Sequence, residues 1–220
     1  MSQYPKTDLN TVHRLAKRAH YDAETVHAII DSAYICHVGF ADENGQPFVV
    51  PTIHARHDET IYLHGSKASR MLKRLGEGVP LCLTFTHLDG LVLARSTFHS
   101  SMNYRSAMVF GTGREVTERE EKRFGMACVT EHLMAGRWQD SRPTTDKEVD
   151  ATSIIAVQIE SASAKVRTGG ALDDEEDYAL PLWAGVIPVS LRLGTPIDDE
   201  RLPEGVPVPE YVQRSIAEQD

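Results

Sequence analysis

Apolar residues recur along this chain in two rhythms, and the change between them at 61–75 frames everything else. That stretch reads Ile-Tyr-Leu-His-Gly-Ser-Lys-Ala-Ser-Arg-Met-Leu-Lys-Arg-Leu. Its opening is strand-like. Gly65 interrupts it, Ser66 is placed to cap a helix, and Ala68, Met71, Leu72 and Leu75 return at helical spacing. Upstream, 11–19 and 22–33 predict two short helices, the second capped by Asp22 with Val26, Ile29, Ile30 and Ala33 on one face. Residues 34–41 and 46–56 predict a strand pair closed by Asp42-Glu43-Asn44-Gly45, and a strand over 60–64 follows. Pro51 removes a ladder donor, which predicts an edge or a bulge.

Downstream, 79–88 and 91–98 predict strands joined at Asp89-Gly90, and 104–116 a longer strand in which Gly111 and Gly113 mark bulges or close backbone approach. Residues 117–134 predict a helix opened by a Thr117–Glu120 capping box. Residues 136–146 read as an irregular polar connection, 153–165 as a strand buried on much of both faces, and 183–188 as a short apolar patch. The first ten residues read as frayed. Six or seven strands in hairpins, with helices between and around them, predict an α+β fold built on an antiparallel barrel. One domain is expected over 1–194, with 1–20 as an N-terminal extension, followed by a Pro-rich acidic tail at 195–220 that packs only in part.

Composition narrows the partners. The 220 residues are 41% hydrophobic, enough for one substantial core, and contain no apolar run long enough to span a bilayer. A polar N-terminus and three widely spaced cysteines, Cys36, Cys82 and Cys128, in apolar surroundings predict buried thiols in the cytoplasm. Residues 171–220 hold twelve acids against three arginines, which accounts for the whole formal charge of −9. An acidic surface disfavours nucleic acid and anionic membrane as partners, and the neutral body can still carry a local anion site.

Walker A, G-x-G-x-x-G, H-E-x-x-H, C-x-x-C and G-x-S-x-G motifs are all absent from the sequence. The ten histidines do not fall into a ligand spacing that predicts a metal site. The 61–75 stretch is more informative. A helix N-terminus with Ser66, Lys67, Ser69 and Arg70 beside it is either a seat for a phosphate or a solvated basic face. Arg95, Asn103, Tyr104, Arg105 and Ser106 bring donors to strand ends where a cleft would form, and Trp138 could cover an aromatic ligand. Arg95 and Arg105 could equally pair with acids on neighbouring strands.

Three segments carry a resemblance: Val-Val-Pro-Thr-Ile-His at 49–54, Tyr-Leu-His-Gly-Ser-Lys-Ala-Ser-Arg at 62–70, and Asn-Tyr-Arg-Ser-Ala-Met-Val-Phe-Gly at 103–111. With Gly-Arg-Trp at 136–138, Lys-Val-Arg-Thr-Gly at 165–169 and Trp-Ala-Gly-Val-Ile-Pro at 183–188, the chain resembles the pyridoxamine 5′-phosphate oxidase-related flavoproteins. The branch it is most similar to contains nitroimidazole-resistance proteins. The resemblance implies a split-barrel fold, a homodimer, and FMN at the subunit interface. It implies that Val50, Pro51 and Thr52 run along the flavin ring and that Ser66, Lys67, Ser69 and Arg70 hold the phosphate. Asn103, Tyr104 and Arg105 would complete the site, and Trp138 would come from the partner chain. His64 is the candidate for acid–base or substrate contact, or for packing on the flavin. Arg70-Met71 stands where many relatives have Arg-Lys, and the substrate-gripping Arg and His motif of true pyridoxamine phosphate oxidases is not recognisable. The expected activity is oxidation or reduction of a small molecule through FMN; the alternative is a flavin or haem carrier or sensor on the same fold.

Overall fold

The computed structural model, which describes residues 2–218, is built from strands whose side chains alternate between an interior and an outer face. In chain order the strands are β1 (Ala19–His20), β2 (Ile35–Ala41), β3 (Pro47–His57), β4 (Thr60–Ser66), β5 (Pro80–Leu93), β6 (Ser101–Glu115), β7 (Thr152–Gln158), β8 (Ser161–Arg167) and β9 (Gly185–Pro188). The helices are α1 (Ala23–Asp31), α2 (Arg70–Gly76), α3 (Arg119–Leu133), α4 (Arg137–Asp140), α5 (Asp146–Ala151) and α6 (Glu210–Ala217). Met1, Gln219 and Asp220, at the ends of the expected extension and tail, lie outside the described residues.

Six strands close a ring in the order β6-β7-β4-β3-β2-β5 and back to β6. β8 and β1 flank β6, and β9 flanks β5. β6 closes the ring because it is long enough to serve three neighbours. One edge pairs with β5, while the other pairs with β8 from Tyr104↔Arg167 to Phe110↔Ser161 and then with β7 from Gly113↔Val157 to Glu115↔Ile155. The interior holds Val38, Leu63, Leu83, Phe85, Val109 and Ile155, all fully buried, with Val26 and Ile30 of α1 and Leu72 and Leu75 of α2 packed onto them. Burying each such side chain stabilises the fold by about 1.5–3 kcal/mol. A second cluster lies outside the ring, where α3 sets Val129 against Ala55, Tyr62, Ile154 and Ala156. No helix among the described residues is long and apolar enough to cross a membrane.

The expected barrel with flanking helices is present, with several local corrections. Residues 11–19 form only one 3-10 turn at Ala16–Arg18, because Leu15 at φ 57° has a left-handed backbone that an α-helix does not continue through. Residues 2–10 are not frayed: Asn10 is buried, and its amide donates to Pro5 O at 2.9 Å and to Ala162 O at 3.0 Å. Asp89-Gly90 is a bulge inside the continuous β5 and not a hairpin. Asp89 accepts both arms of the Arg105 fork at 3.0 and 2.9 Å, and β9 lies so close to Gly90 that a Cβ there would stand 2.9 Å from Val186.

The strand expected at 153–165 divides into β7 and β8, because Ile159 N–H donates to Glu59 O and Glu160 N–H to Phe110 O, drawing the backbone off its line. α3 begins after Glu118 with no side-chain cap, so the Thr117–Glu120 box does not form; such a box, Thr145 with Glu148, opens α5 instead. Of the three cysteines only Cys36 is fully buried, and burial pushes its thiol up to about 12. The tail contains α6, whose Tyr211 ring lies against Gly136 and whose hydroxyl donates to Asp140 at 2.9 Å.

His54 gives the fold a pH dependence. It is fully buried, with Nε2 3.0 Å from Ile30 O and its ring 4.8 Å from Phe85 and 4.7 Å from His132. Burial, helped by His132 and opposed by the Ile30 carbonyl, holds the ring's pKa at about 4 against an ordinary 6.5. A histidine so depressed contributes stability that is present above 6.5 and is lost as the pH falls toward 4, because the unfolded chain takes up the proton first. Between pH 7 and pH 5 this amounts to about 2 kcal/mol. Urea unfolding at the two pH values should show that loss in the wild type and much less of it in His54→Gln; equal losses would remove His54 as the cause.

Candidate functional site

β3 pairs with β2 from Ala41↔Pro47 to Ile35↔Ile53, but with β4 only from His54↔Leu63 to His57↔Thr60. Beyond Leu63, β4 pairs with β7 alone, through His64↔Ile154, Gly65↔Ser153 and Ser66↔Thr152. The two strands therefore diverge, and one edge of β3 over 47–53 faces no strand. Pro51 sits on that open stretch, in agreement with the edge its missing N–H predicts. A proline cannot donate to β2, so Pro47 and Pro51, with Val49 and Ile53 in the same alternation, point their backbone groups at the opening. Val50 and Thr52 stand opposite Val38 and Cys36, both fully buried, and their backbone groups go to β2. Open backbone groups must be met by water or by a ligand.

The opposite wall of the opening is 64–70. Ser66 ends β4, and its Oγ accepts from Ala68 N–H at 3.1 Å. The helix cap is Ser69, not Ser66: its side chain accepts from Leu72 N–H at 3.3 Å and α2 begins at Arg70. The Arg70 guanidinium reaches back across the mouth to lie 4.9 Å from the centre of the Phe48 ring on β3. Most arginines of this chain grip a carboxylate, as Arg56 does Asp31 and Arg105 does Asp89. Among the described residues neither Arg70 nor Lys67 closes a salt bridge; Lys67 is near enough to Asp150 to help lower that carboxyl, so Arg70 is the less compensated cation of this wall. Met71 is partly buried against the main core.

His64 belongs to the outward row Tyr62–His64–Ser66, opposite Ile154, on the face that α3 covers. Its Nδ1 is buried with no hydrogen-bond partner, and burial alone pushes the ring's pKa below the ordinary histidine value. The imidazole is therefore neutral near pH 7, with a nitrogen lone pair or N–H to offer.

The remaining candidates lie elsewhere in the chain. Asn103, Tyr104 and Arg105 sit at the start of β6, beside β5 and β8, whereas it is the far end of β6 that reaches β7. Arg105 is held by Asp89, and Asn103 bridges Arg167 and the Gly169 carbonyl. Arg95 is likewise paired, with the buried Asp173 at 3.1 Å. Trp138 lines a cleft of about 800 Å³ beside α3, together with Met126, Arg123 and Arg142. Sequence reasoning missed Phe48, one apolar residue among many, and Arg167, whose burial nothing in its immediate sequence announces.

The sequence profile described as pyridoxamine 5′-phosphate oxidase matches residues 22–166. The structure of the flavocytochrome Anf3 from Azotobacter vinelandii is similar at 42% identity, covering 95% of this chain and 97% of that one, with a TM-score of 0.88. The FAD and haem binding protein from Mycobacterium smegmatis is similar at 32% identity, covering 90% and 97%, with a TM-score of 0.86. A putative 5-nitroimidazole antibiotic resistance protein from Bacteroides thetaiotaomicron matches at 27% identity over 67% and 86%, with a TM-score of 0.58. A search of curated proteins finds no match. With the profile spanning most of the barrel and two full-length relatives above 30% identity, the chain belongs to the pyridoxamine 5′-phosphate oxidase family.

Proposed function

We propose that this protein is a cytoplasmic, homodimeric oxidoreductase that binds a flavin nucleotide together with haem and exchanges electrons with a small molecule. The observation that carries the reading is the unpaired edge of β3 facing the His64–Arg70 wall, in a chain whose full-length relatives include a flavocytochrome and an FAD and haem binding protein. Val49, Pro51 and Ile53 would offer backbone groups to the flavin ring, and Ser66, Lys67, Ser69 and Arg70 would hold the phosphate next to the ribityl chain. That phosphate is common to FMN, which the sequence resemblance implies, and to FAD, which the M. smegmatis relative binds. A bound flavin supplies exchange of electron pairs with small molecules, and haem a route for single electrons. The dimer is supported by the exposed apolar residues Ile35, Val49, Met102 and Met108 on the outer sheet face, which a second copy would cover.

A haem iron needs a deprotonated nitrogen or sulfur ligand, and the residues present fit that need. His64 is kept neutral by burial, and its orphaned Nδ1 is the mark of a missing partner. His54 Nδ1 is buried without a partner as well, but that ring is sealed in the core with its Nε2 on Ile30 O; His87 is engaged with Ile29 O, His132 with Ala33 O, His27 with Tyr4, His99 with Asp174, His20 with Asp22 and His57 with Asp58. The deciding experiment is the visible spectrum of the protein reconstituted with flavin and haemin, with the released cofactors identified by mass. A flavin double peak and a Soret band are expected. A protein that takes up neither would overturn the proposal, and the mass of the flavin separates FMN from FAD.

Arg70 tests the phosphate wall. A charge-assisted hydrogen bond is worth roughly 1.5–3 kcal/mol, so Arg70→Ala should weaken FMN or FAD binding by about 10- to 150-fold. Riboflavin, which lacks the phosphate, should bind the wild type and the variant almost equally. Full flavin affinity in Arg70→Ala would move the phosphate elsewhere.

A further inference from the structure

We infer that a second cleft, between the 3-10 turn at Ala16–Arg18 and the loop that follows β8, binds the phosphate of a small phosphorylated molecule through Lys17, Arg18 and Arg167. The cleft has a volume of about 350 Å³ and is lined by those three cations together with Thr168, Gly169 and Gly170. Arg167 is its built element. Only 7% of the residue is exposed, and its fork donates to the Asn103 side-chain oxygen and to Gly170 O at 3.2 Å. Both acceptors are neutral.

A guanidinium buried without an opposite charge is costly, and native structures seldom leave one so. The acids nearest in the chain are committed elsewhere: Asp173 to Arg95 and to the Ser96 amide, and Asp174 to His99 at 3.3 Å. Arg18 adds a like charge. Desolvation, followed by Arg18, pulls the Arg167 guanidinium below its ordinary value, the reverse of Arg56 and Arg105, which their carboxylates raise. An anion that satisfies the free donors of the fork and neutralises two more cations resolves this imbalance.

The loop suits a phosphate as well as the charges do. Gly169 takes φ +103°, and at neither Gly169 nor Gly170 does any atom stand within 4 Å of where a Cβ would be, so bare backbone faces open space. The site stands independently of the flavin reading, since none of its three cations belongs to the β3–β4 opening. Free polyphosphate and the phosphates of a nucleotide share this chemistry.

The test is isothermal titration of the protein as purified with inorganic pyrophosphate and, separately, with ADP. One saturable site per chain is expected at millimolar concentration or below. Tighter binding of ADP would identify a nucleotide, and equal binding a free polyphosphate. Arg18→Glu, at a half-exposed position with no carboxylate partner, should weaken binding by at least about tenfold, while Arg70→Ala leaves it unchanged. Lys17→Glu, at an exposed position, serves if Arg18→Glu fails to fold. Absence of saturable binding by both probes overturns the inference, as does equal affinity in the wild type and both charge reversals. Binding that vanishes in Arg70→Ala and persists in Arg18→Glu would place the anion in the β3–β4 opening, and the inference would fall.

Discussion

His64→Ala should retain the flavin and come out without haem. The side chain stands on β4 opposite Ile154 of β7 and makes no hydrogen bond that holds the fold, since its buried nitrogen has none to lose. Removing it should cost little stability and take away the iron's ligand. Loss of partners that merely orient a metal ligand costs about 10- to 100-fold in affinity, so loss of the ligand itself should exceed about 100-fold. The measurement is the ratio of Soret to flavin absorbance after reconstitution, with and without added imidazole. Imidazole should restore the Soret band by filling the space left by the ring. If His64→Ala binds haem as the wild type does, the iron is held by another residue, and the reading of the orphaned nitrogen is wrong. If flavin is lost as well, the histidine packs on the flavin and its role belongs to that site.

The second large effect concerns the seam of the ring. Gly111 lies where β6 leaves β8 and takes up β7, beneath the short link that joins those two strands. A Cβ at this position would stand 2.3 Å from Gln158 O and 3.2 Å from a methyl of Val157. The first of these is backbone, held by the pairing on both sides of it, and cannot swing away as a side-chain tip would. Gly111→Ala should therefore cost about 4 kcal/mol or more, the range reached only when packing or backbone placement fails. Gly170→Ala, with open space around it, should cost almost nothing. Chemical denaturation of the two variants makes the comparison. A Gly111→Ala protein with wild-type stability would mean that β7 and β8 can be joined without this close approach.

The parts of the fold legible in the sequence are those decided by neighbours in the chain. The β2–β3 hairpin was legible because buried residues alternate on both sides of Asn44-Gly45, and Gly45 takes the positive φ of 80° that such a turn requires. The break between β4 and α2 was legible from Gly65 and from the change of apolar period, though the cap lies three residues later than Ser66 suggests. Asp89-Gly90 misled because the same dipeptide that turns a hairpin here makes room for β9 and supplies a carboxylate to Arg105, both distant in sequence. The link between β7 and β8 contains no glycine or proline to mark it. The site divides in the same way. The 64–70 wall was read from local chemistry, whereas the embrace of Arg105 by Asp89 and the burial of Arg167 depend on which strands the ring brings together.

The open side of β3 also bears on how the empty protein behaves. An unpaired strand edge is a template on which a second chain can add a strand, the usual first step toward aggregates. Of the four residues that turn their backbone groups to that side, Pro47, Val49, Pro51 and Ile53, two have no N–H to give. An invading strand would find every other donor rung missing, while all four carbonyls remain free to receive donors from a small molecule. The two prolines thus leave the edge receptive to a ligand and inhospitable to another polypeptide.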